Sequence, residues 1–492
     1  MTTTPEASKP EATAPAGLSH AEAPDYGVLR WLVAATFIVI LNETIMVNAI
    51  PRLTTDLSVS NSTAQWLTSA FMLTMAVVIP VTGWFLQRVT TRQAFGSAMA
   101  VFATGTLVAG LAPTFEVLLA GRIVQATGTA IMMPLLMTTL MTIVREQDRG
   151  RIMGNVTLAM SVAPALGPSV SGLILEVASW RWMFFAVLPV SIAIALVGLR
   201  RLTDVGETVA GDIDWTSVLL SAIGFGPFVY GLSELGAEND HPAWIAWLAI
   251  AVGVGAIVAF VLRQLSLQRS GTPLLDLRTL QHPVFAKGLL LMSVAFMAML
   301  GSMILLPLYL QNVHGLSELE SGLLVMPGGL AMGLLGPQVG KVYDRLGARP
   351  LLVPGALGIL VALALLTQVT LDLSVWLLLP VHVLLMVSLA LVFTPVFTLS
   401  LGSLPPHLYS HGSSTLGALQ QVAAAAGTAV VIAVVTARST AQAQAGAGEL
   451  QALVDGMRWG FGVGAVLGVA VLVLALLMPN RVASDAPVAA GH

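Results

Sequence analysis

The decapeptide GWFLQRVTTR at residues 83–92 returns as GKVYDRLGAR at residues 340–349. Each copy reads glycine, three residues, glutamine or aspartate, arginine, and a second arginine at the tenth position, and each follows a long apolar run. Self-similarity of this kind marks an internal repeat. Working outward, runs long enough to cross about 30 Å of hydrocarbon, roughly 20 residues each, lie near 31–50, 66–86, 93–112, 116–141, 152–176, 183–199 and 216–235. Others lie near 243–263, 287–310, 323–341, 351–370, 375–399, 414–436 and 460–478. Backbone groups in lipid must be bonded within their own segment, so these fourteen runs read as helices. One copy of the decapeptide follows the second run and the other the tenth. Six-helix halves then pair runs 1–6 with runs 9–14 and leave runs 7 and 8 as an insertion. The expected fold is all-α and integral to the membrane: fourteen transmembrane helices, two six-helix pseudo-symmetric bundles plus two inserted helices. Parallel halves with a cavity between them form a transporter architecture.

Composition points the same way. Of 492 residues 56% are apolar and 10% charged, with a mean hydropathy of +0.86, whereas a soluble protein carries roughly 25% charged residues. The absence of cysteine excludes disulfides, thiolate metal sites and cysteine catalysis. Residues 1–26, rich in Pro, Ala, Thr and Glu, lack the apolar core of a signal peptide and read as a disordered cytoplasmic tail. The other expected divisions are a bundle at 27–199, a cytoplasmic linker at 200–214, the inserted pair at 215–263, a second linker at 264–286, the other bundle at 287–479 and a cytoplasmic tail at 480–492. With the amino terminus inside, the outer loops hold Arg52, Arg181, Arg438 and Arg458, Arg122 lies within the membrane, and every other Lys and Arg falls on the inner side. That asymmetry follows the positive-inside rule and places both termini of a multi-pass plasma-membrane protein in the cytoplasm.

The first run ends in LNETIMVNAIP, residues 41–51, which sets Glu43 at membrane depth. A charge there costs a few kcal/mol and is retained where something uses or pairs it. Glu43 lies seven residues from Ile50, and Arg122 as far from the outer start of the fourth helix, so at 1.5 Å per residue both sit roughly 10 Å in. A pair is therefore geometrically available. Burial favours the neutral carboxyl and a guanidinium the charged one, so a cavity that changes shape changes proton affinity. The plainer reading is a static ion pair. Gln125, one turn from Arg122, either orients it or makes an interhelical hydrogen bond; Asn42 and Asn48 carry the same two readings. Asn155, His382 and Gln420 are candidates for a substrate cavity, with Gln421, Tyr309, Gln311 and Asn312 behind them. His382 alone in its helix equally suits a quiet hydrogen bond. No P-loop or metal-ligand cluster occurs, and the glycine runs lie inside apolar helices with no strand before them.

Several motifs carry a family resemblance. Gly340, Asp344, Arg345, Gly347 and Arg349 resemble the loop pattern G-x-L-A-D-R-x-G-R-[KR] of the major facilitator superfamily; in the first copy Gly83, Arg88 and Arg92 remain, with Gln87 for the acid and Thr90 for the second glycine. Arg122, Gln125 and Gly128 resemble the fourth-helix pattern R-x-x-Q-G-x-G. ALGPSVSG, with Gly167, Pro168 and Gly172, resembles the antiporter pattern of the fifth helix. SWRWMFF at 179–185 and PLLDLR at 273–278 narrow the likeness to the fourteen-helix drug:proton antiporter group, and the N-E-T order with the Gln-Arg-x-Thr-Thr-Arg loop to its lincomycin-type subgroup. The group's first-helix acid falls on Asn42, with Glu43 its neighbour about 100° round the helix.

The resemblance implies a proton-coupled multidrug efflux transporter that exports amphiphilic or cationic compounds by alternating access. Glu43 and Arg122 would couple protons. Gly83, Arg88, Arg92, Gly167, Pro168, Gly172, Gly340, Asp344, Arg345 and Arg349 would serve the conformational change, the loop charges as a latch that Gln87 makes asymmetric. The expected partners are a small-molecule substrate, protons and membrane lipid, with no nucleic acid, no cofactor, no metal and no enzymatic activity, in a monomer. An exporter of an endogenous metabolite on the same fold is the alternative, and a non-transporting receptor or assembly partner a remote one.

Overall fold

A computed structural model describes residues 26–482 apart from 47–48, 207, 210, 236–241 and 271–272. Nearly all of the expected amino-terminal tail, Asn48 and residues 483–492 thus lie outside the described residues. Among those described, fourteen helices are long and apolar enough to cross a membrane. The first eight are α1 Gly27–Ile45, α2 Asn61–Arg88, α3 Thr91–Leu111, α4 Phe115–Ile143, α5 Arg149–Val177, α6 Arg181–Arg201, α7 Trp215–Leu235 and α8 Ala243–Leu267. The others are α9 Pro283–Asn312, α10 Glu318–Leu346, α11 Arg349–Leu366, α12 Val375–Gly402, α13 Tyr409–Gln444 and α14 Glu449–Leu477.

The first boundary differs from the sequence expectation. Helix α1 stops at Ile45, and Ile50, read as its outer end, opens a separate short helix, Ile50–Asp56. Pro51 accounts for the break: it has no N–H to give to a continuing helix but fits the first turn of a new one. Glu43 therefore sits in the last turn of α1.

Helix α1 packs on α4, α5 and α6, and α3 on α4 and α6; in the other half α9 packs on α12, α13 and α14, and α11 on α12 and α14. The two bundles meet along two seams, α5 with α10 and α2 with α13. The repeat exchanges these seams, since α2 corresponds to α10 and α5 to α13. The inserted helices pack on each other, and α7 also lies on α2 and α13, so the insertion flanks the α2–α13 seam.

Close approach along the α5–α10 seam depends on glycine. A Cβ on Gly154 would stand 2.2 Å from the Gly336 carbonyl oxygen, and one on Gly340 2.0 Å from that of Gly150. The spacings Gly150-x-x-x-Gly154 and Gly336-x-x-x-Gly340 are the small-residue pattern that lets membrane helices touch backbone to backbone.

The two decapeptides turn differently. Gly347 has φ of 85°, a conformation that favours glycine. Thr90, at the matching position, has φ of −70° and forms a capping box with Gln93 at the start of α3. The threonine thus replaces a left-handed turn with a side-chain cap.

Both linkers are held at the end of the molecule that carries these turns, called here the basic end. Asp204 accepts from the Arg92 backbone N–H at 3.0 Å, and Val209 N–H donates to the Gln87 carbonyl at 2.8 Å. Asp214 takes a two-pronged bond from Arg263, Nε to Oδ2 at 2.6 Å and Nη2 to Oδ1 at 2.7 Å, which ties the foot of α7 to α8. Buried Gln264 donates to Ser217 and accepts from the backbone N–H groups of Leu274 and Leu275. The Arg263 hydrogen bonds hold the Asp214 carboxyl down at about 2. A depressed carboxyl contributes its stability above its unfolded value and loses it only as pH falls through the folded one. Asp214→Asn should accordingly lower the melting temperature by about 1–2 °C, with the same deficit at every pH from 8 to 5. A deficit that fades across that range in a thermal-unfolding series would contradict the assignment.

Candidate functional site

The membrane-depth site forms where α1, α2, α3 and α4 converge. Arg122 on α4 is fully buried. Its Nη1 donates to Gln125 Oε1 at 2.6 Å and to Asn42 Oδ1 at 3.3 Å, and Gln125 Nε2 donates to buried Thr106 on α3 at 2.7 Å. The guanidinium carbon lies 4.1 Å from the centre of the Phe71 ring on α2, a cation–π contact that replaces part of its lost hydration. Arg122 Nε and Nη2 and Asn42 Nδ2 are buried without a hydrogen-bond partner.

Glu43 lies within Coulombic reach of Arg122, but no ion pair within 4.0 Å joins them. The direct contact belongs to its neighbour Asn42, which is 1% exposed while Glu43 remains partly exposed. Adjacent helix positions point about 100° apart, so one of the two faces the arginine and the other faces away. Depth needs restating as well. Arg122 is roughly 10 Å into α4 while Glu43 is about 3 Å from the end of α1, so α1 ends below the level at which α4 begins.

Helix α5 brings its antiporter-like segment to the same region. A Cβ on Gly167 would stand 2.4 Å from Thr44 Oγ1 on α1, so this glycine lets α5 lie against the residue beside Glu43. Pro168 faces Gly322 on α10 across the seam. At Gly172 an added Cβ would meet nothing within 4 Å, so this glycine, expected with the other two in the packed surface, takes no part in it.

At the basic end the seams are locked in two complementary ways. Asp344, at the foot of α10, accepts from the backbone N–H groups of Gly150 at 2.7 Å and Arg151 at 2.8 Å, at the start of α5. A carboxylate at a helix N-terminus meets free N–H groups and the positive end of the dipole. Gln87, its counterpart at the foot of α2, instead donates Nε2 to the His407 carbonyl at 3.0 Å, just ahead of α13. The two seams are thus joined differently, with a carboxylate acceptor at one and an amide donor at the other. Of the arginines expected to close the latch, Arg88, Arg345 and Arg349 make their hydrogen bonds within their own halves. Arg349 binds Asn480 through its backbone N–H and the Met478 carbonyl through Nε, Arg345 offers its carbonyl to Arg481, and Arg88 donates to Gln87 and covers Trp84. Gly83 lets His411 and Ser414 of α13 come close to α2.

Removing the Asp344 carboxylate should loosen the basic end. Hydrogen bonds to charged groups contribute about 1.5–3 kcal/mol each, so Asp344→Ala is expected to cost the closed form about 3 kcal/mol, a shift of about 100-fold. A cysteine at Thr157, which meets Thr394 of α12 across the halves at 2.9 Å, would then react much faster with a membrane-impermeant maleimide added at the basic side. An unchanged rate would remove Asp344 from the latch.

The cavity candidates separate. Gln420 on α13 is partly buried and its Nε2 has no partner, as suits a group facing a binding space. His382 is buried between α12 and α10, bonded to the Val325 backbone and hard against Gly328, which is the quiet hydrogen bond. Asn155 is exposed on α5. Tyr309 is buried with its hydroxyl on the Thr370 carbonyl, and Gln311 binds Ser321. Phe71, Thr106 and three glycines of the α5–α10 seam, Gly150, Gly154 and Gly336, were not among the sequence candidates, whereas Gly340 was. The glycine spacing could have found these three glycines, but nothing in the sequence marks which phenylalanine covers Arg122.

The chain has relatives among known proteins. Residues 32–428 match the Major Facilitator Superfamily. The lincomycin resistance protein LmrB of Listeria innocua is 38% identical over 410 residues, covering 83% of this chain and 86% of that protein. LmrB of Bacillus subtilis is 34% identical over 409 residues, covering 82% and 84%. Among solved structures, the human organic anion transporter MFSD10 (TETRAN) superposes with a TM-score of 0.64 at 15% identity, over 92% of this chain and 100% of that one, a likeness of fold. The chain belongs to the major facilitator superfamily and is a multi-pass membrane transporter.

Proposed function

We propose that this transporter exports amphiphilic or cationic compounds across the plasma membrane in exchange for protons, working as a monomer with its basic end and both termini in the cytoplasm. The observation that carries the reading is the buried cation Arg122, held by Asn42 and Gln125, with the ionisable Glu43 within its electrostatic reach and not bonded to it. A carboxyl so placed can gain and lose a proton without first breaking an ion pair. A proton arriving from outside neutralises Glu43, releases a bound cation and permits the return to the inward-open form. The names of the lincomycin-resistance relatives support export of drug-like solutes. The closed seams at the basic end fit the form that opens outward.

Flux of a compound panel in proteoliposomes, with and without an imposed pH gradient, tests this. Uptake of drug-like cations that multiplies when the interior is made acidic is the expected result. Transport confined to amino acids or other cellular metabolites would replace the drug reading with the metabolite one, and the absence of gradient-driven flux for every compound would overturn both.

A further inference from the structure

A second buried ionisable group lies at the α2–α13 seam, far along α2 from the Arg122 site. His411, in the first turn of α13, is 3% exposed and its Nδ1 has no hydrogen-bond partner. It sits against α2 so closely that a methyl on Gly83 would stand 3.1 Å from that nitrogen and 3.2 Å from Ser414 Oγ, itself buried and unpartnered. The charged and titratable groups facing the imidazole are Arg88 from α2, Asp276 and Arg278 from the linker before α9, and His407 from the turn before α13. Asp276, 2% exposed, is already committed. It accepts from Arg278 Nε at 3.0 and 2.9 Å, from Arg278 Nη2 at 2.5 Å, from the Arg278 backbone at 2.9 Å and from Gln268 at 3.1 Å. Burial works to raise the Asp276 carboxyl, but the hydrogen bonds from Arg278 help to bring it below its ordinary value.

We propose that His411 is a second proton-binding residue, seated in the cytoplasmic gate and separate from Glu43: neutral while α2 and α13 are closed over it, protonated when the gate opens. The proposal rests on the orientation and alternating access argued under Proposed function. In the closed gate a charged imidazole would be buried beside two arginines, with its one carboxylate neighbour occupied by Arg278, and burial of a charge so poorly compensated is strongly unfavourable. Opening admits water, and the imidazole takes a proton from the cytoplasm in the pH range where histidine titrates. Closing again requires that proton to leave to the cytoplasm, so no net proton crosses the membrane at this site. Acidification inside therefore holds the gate open and slows the return outward. An exchanger that imports protons gains a brake that acts once the cytoplasm has been acid-loaded.

The chain has no cysteine, so a spin-labelled pair at Gln147→Cys and Lys341→Cys, both exposed at the basic end in opposite halves, reports gate opening in lipid nanodiscs without any substrate. Every sample carries Glu43→Gln, which removes the other proton site and keeps this test independent of it. The expected result is a long-distance population that rises several-fold between pH 8 and pH 6. His411→Gln and His411→Asn should each abolish the rise, and Asp276→Asn should move its midpoint to lower pH. Should both His411 variants fail to fold, the Asp276→Asn midpoint decides, and an unmoved midpoint overturns the proposal. A distance distribution indifferent to pH, or a pH response that survives both His411 variants, overturns it as well, while leaving the role of Glu43 untouched.

Discussion

Glu43→Gln is expected to abolish gradient-driven export while the protein still reaches the membrane in normal amount. Glutamine keeps the size of the side chain and removes its ability to ionise. Because Glu43 makes no ion pair with Arg122, the substitution breaks no salt bridge, and the fold loses little. What disappears is the carboxyl proposed to take up the proton. Efflux measured in everted vesicles, with surface expression scored in the same cells, should fall to the background of empty vesicles. Efflux that is unchanged would remove Glu43 from the mechanism and turn attention to Asn42 and the arginine it binds.

Arg122→Ala should be as severe for a different reason. Two hydrogen bonds to a charged donor are lost, at about 1.5–3 kcal/mol each, leaving Asn42 and Gln125 buried with unmet acceptors. If about 3 kcal/mol of that reaches the transport barrier, the rate falls about 100-fold. Arg122→Lys is the sharper experiment. An ammonium keeps the charge but has neither the planar fork nor the stacking face that suits Phe71, so it is expected to recover only a small part of the rate. Full activity in Arg122→Lys would reduce the site to a point charge and dismiss the geometry of Asn42, Gln125 and Phe71.

The architecture was legible because its physics is local. Runs near 20 residues, the basic asymmetry of the turns and the repeated decapeptide all lead to fourteen helices in two halves, and the structure has them. The helix-4 motif also marked Arg122 and Gln125 correctly as neighbours, since three residues along a helix share a face. Rotation was harder to read. Glu43 and Asn42 are adjacent, and which of them meets Arg122 depends on how α1 turns about its axis against α4, α5 and α6, which no periodicity in so uniformly apolar a helix reveals. The end of α1 was misjudged because hydropathy continues through Ile50 while Pro51 restarts the helix. The loop charges single out Asp344, but its partner is the backbone at the start of α5, and backbone N–H groups leave no mark in a sequence.

The most direct test of the account is proton movement itself. Purified protein is sealed in liposomes with a pH-sensitive dye inside and an acid-inside gradient imposed, and a transported cation is then added outside. Exchange predicts that the interior becomes more alkaline as the cation enters, in proportion to its uptake, and that Glu43→Gln shows neither signal. Uptake with no change in interior pH, or alkalinisation of equal size in Glu43→Gln, would contradict proton exchange at this carboxyl.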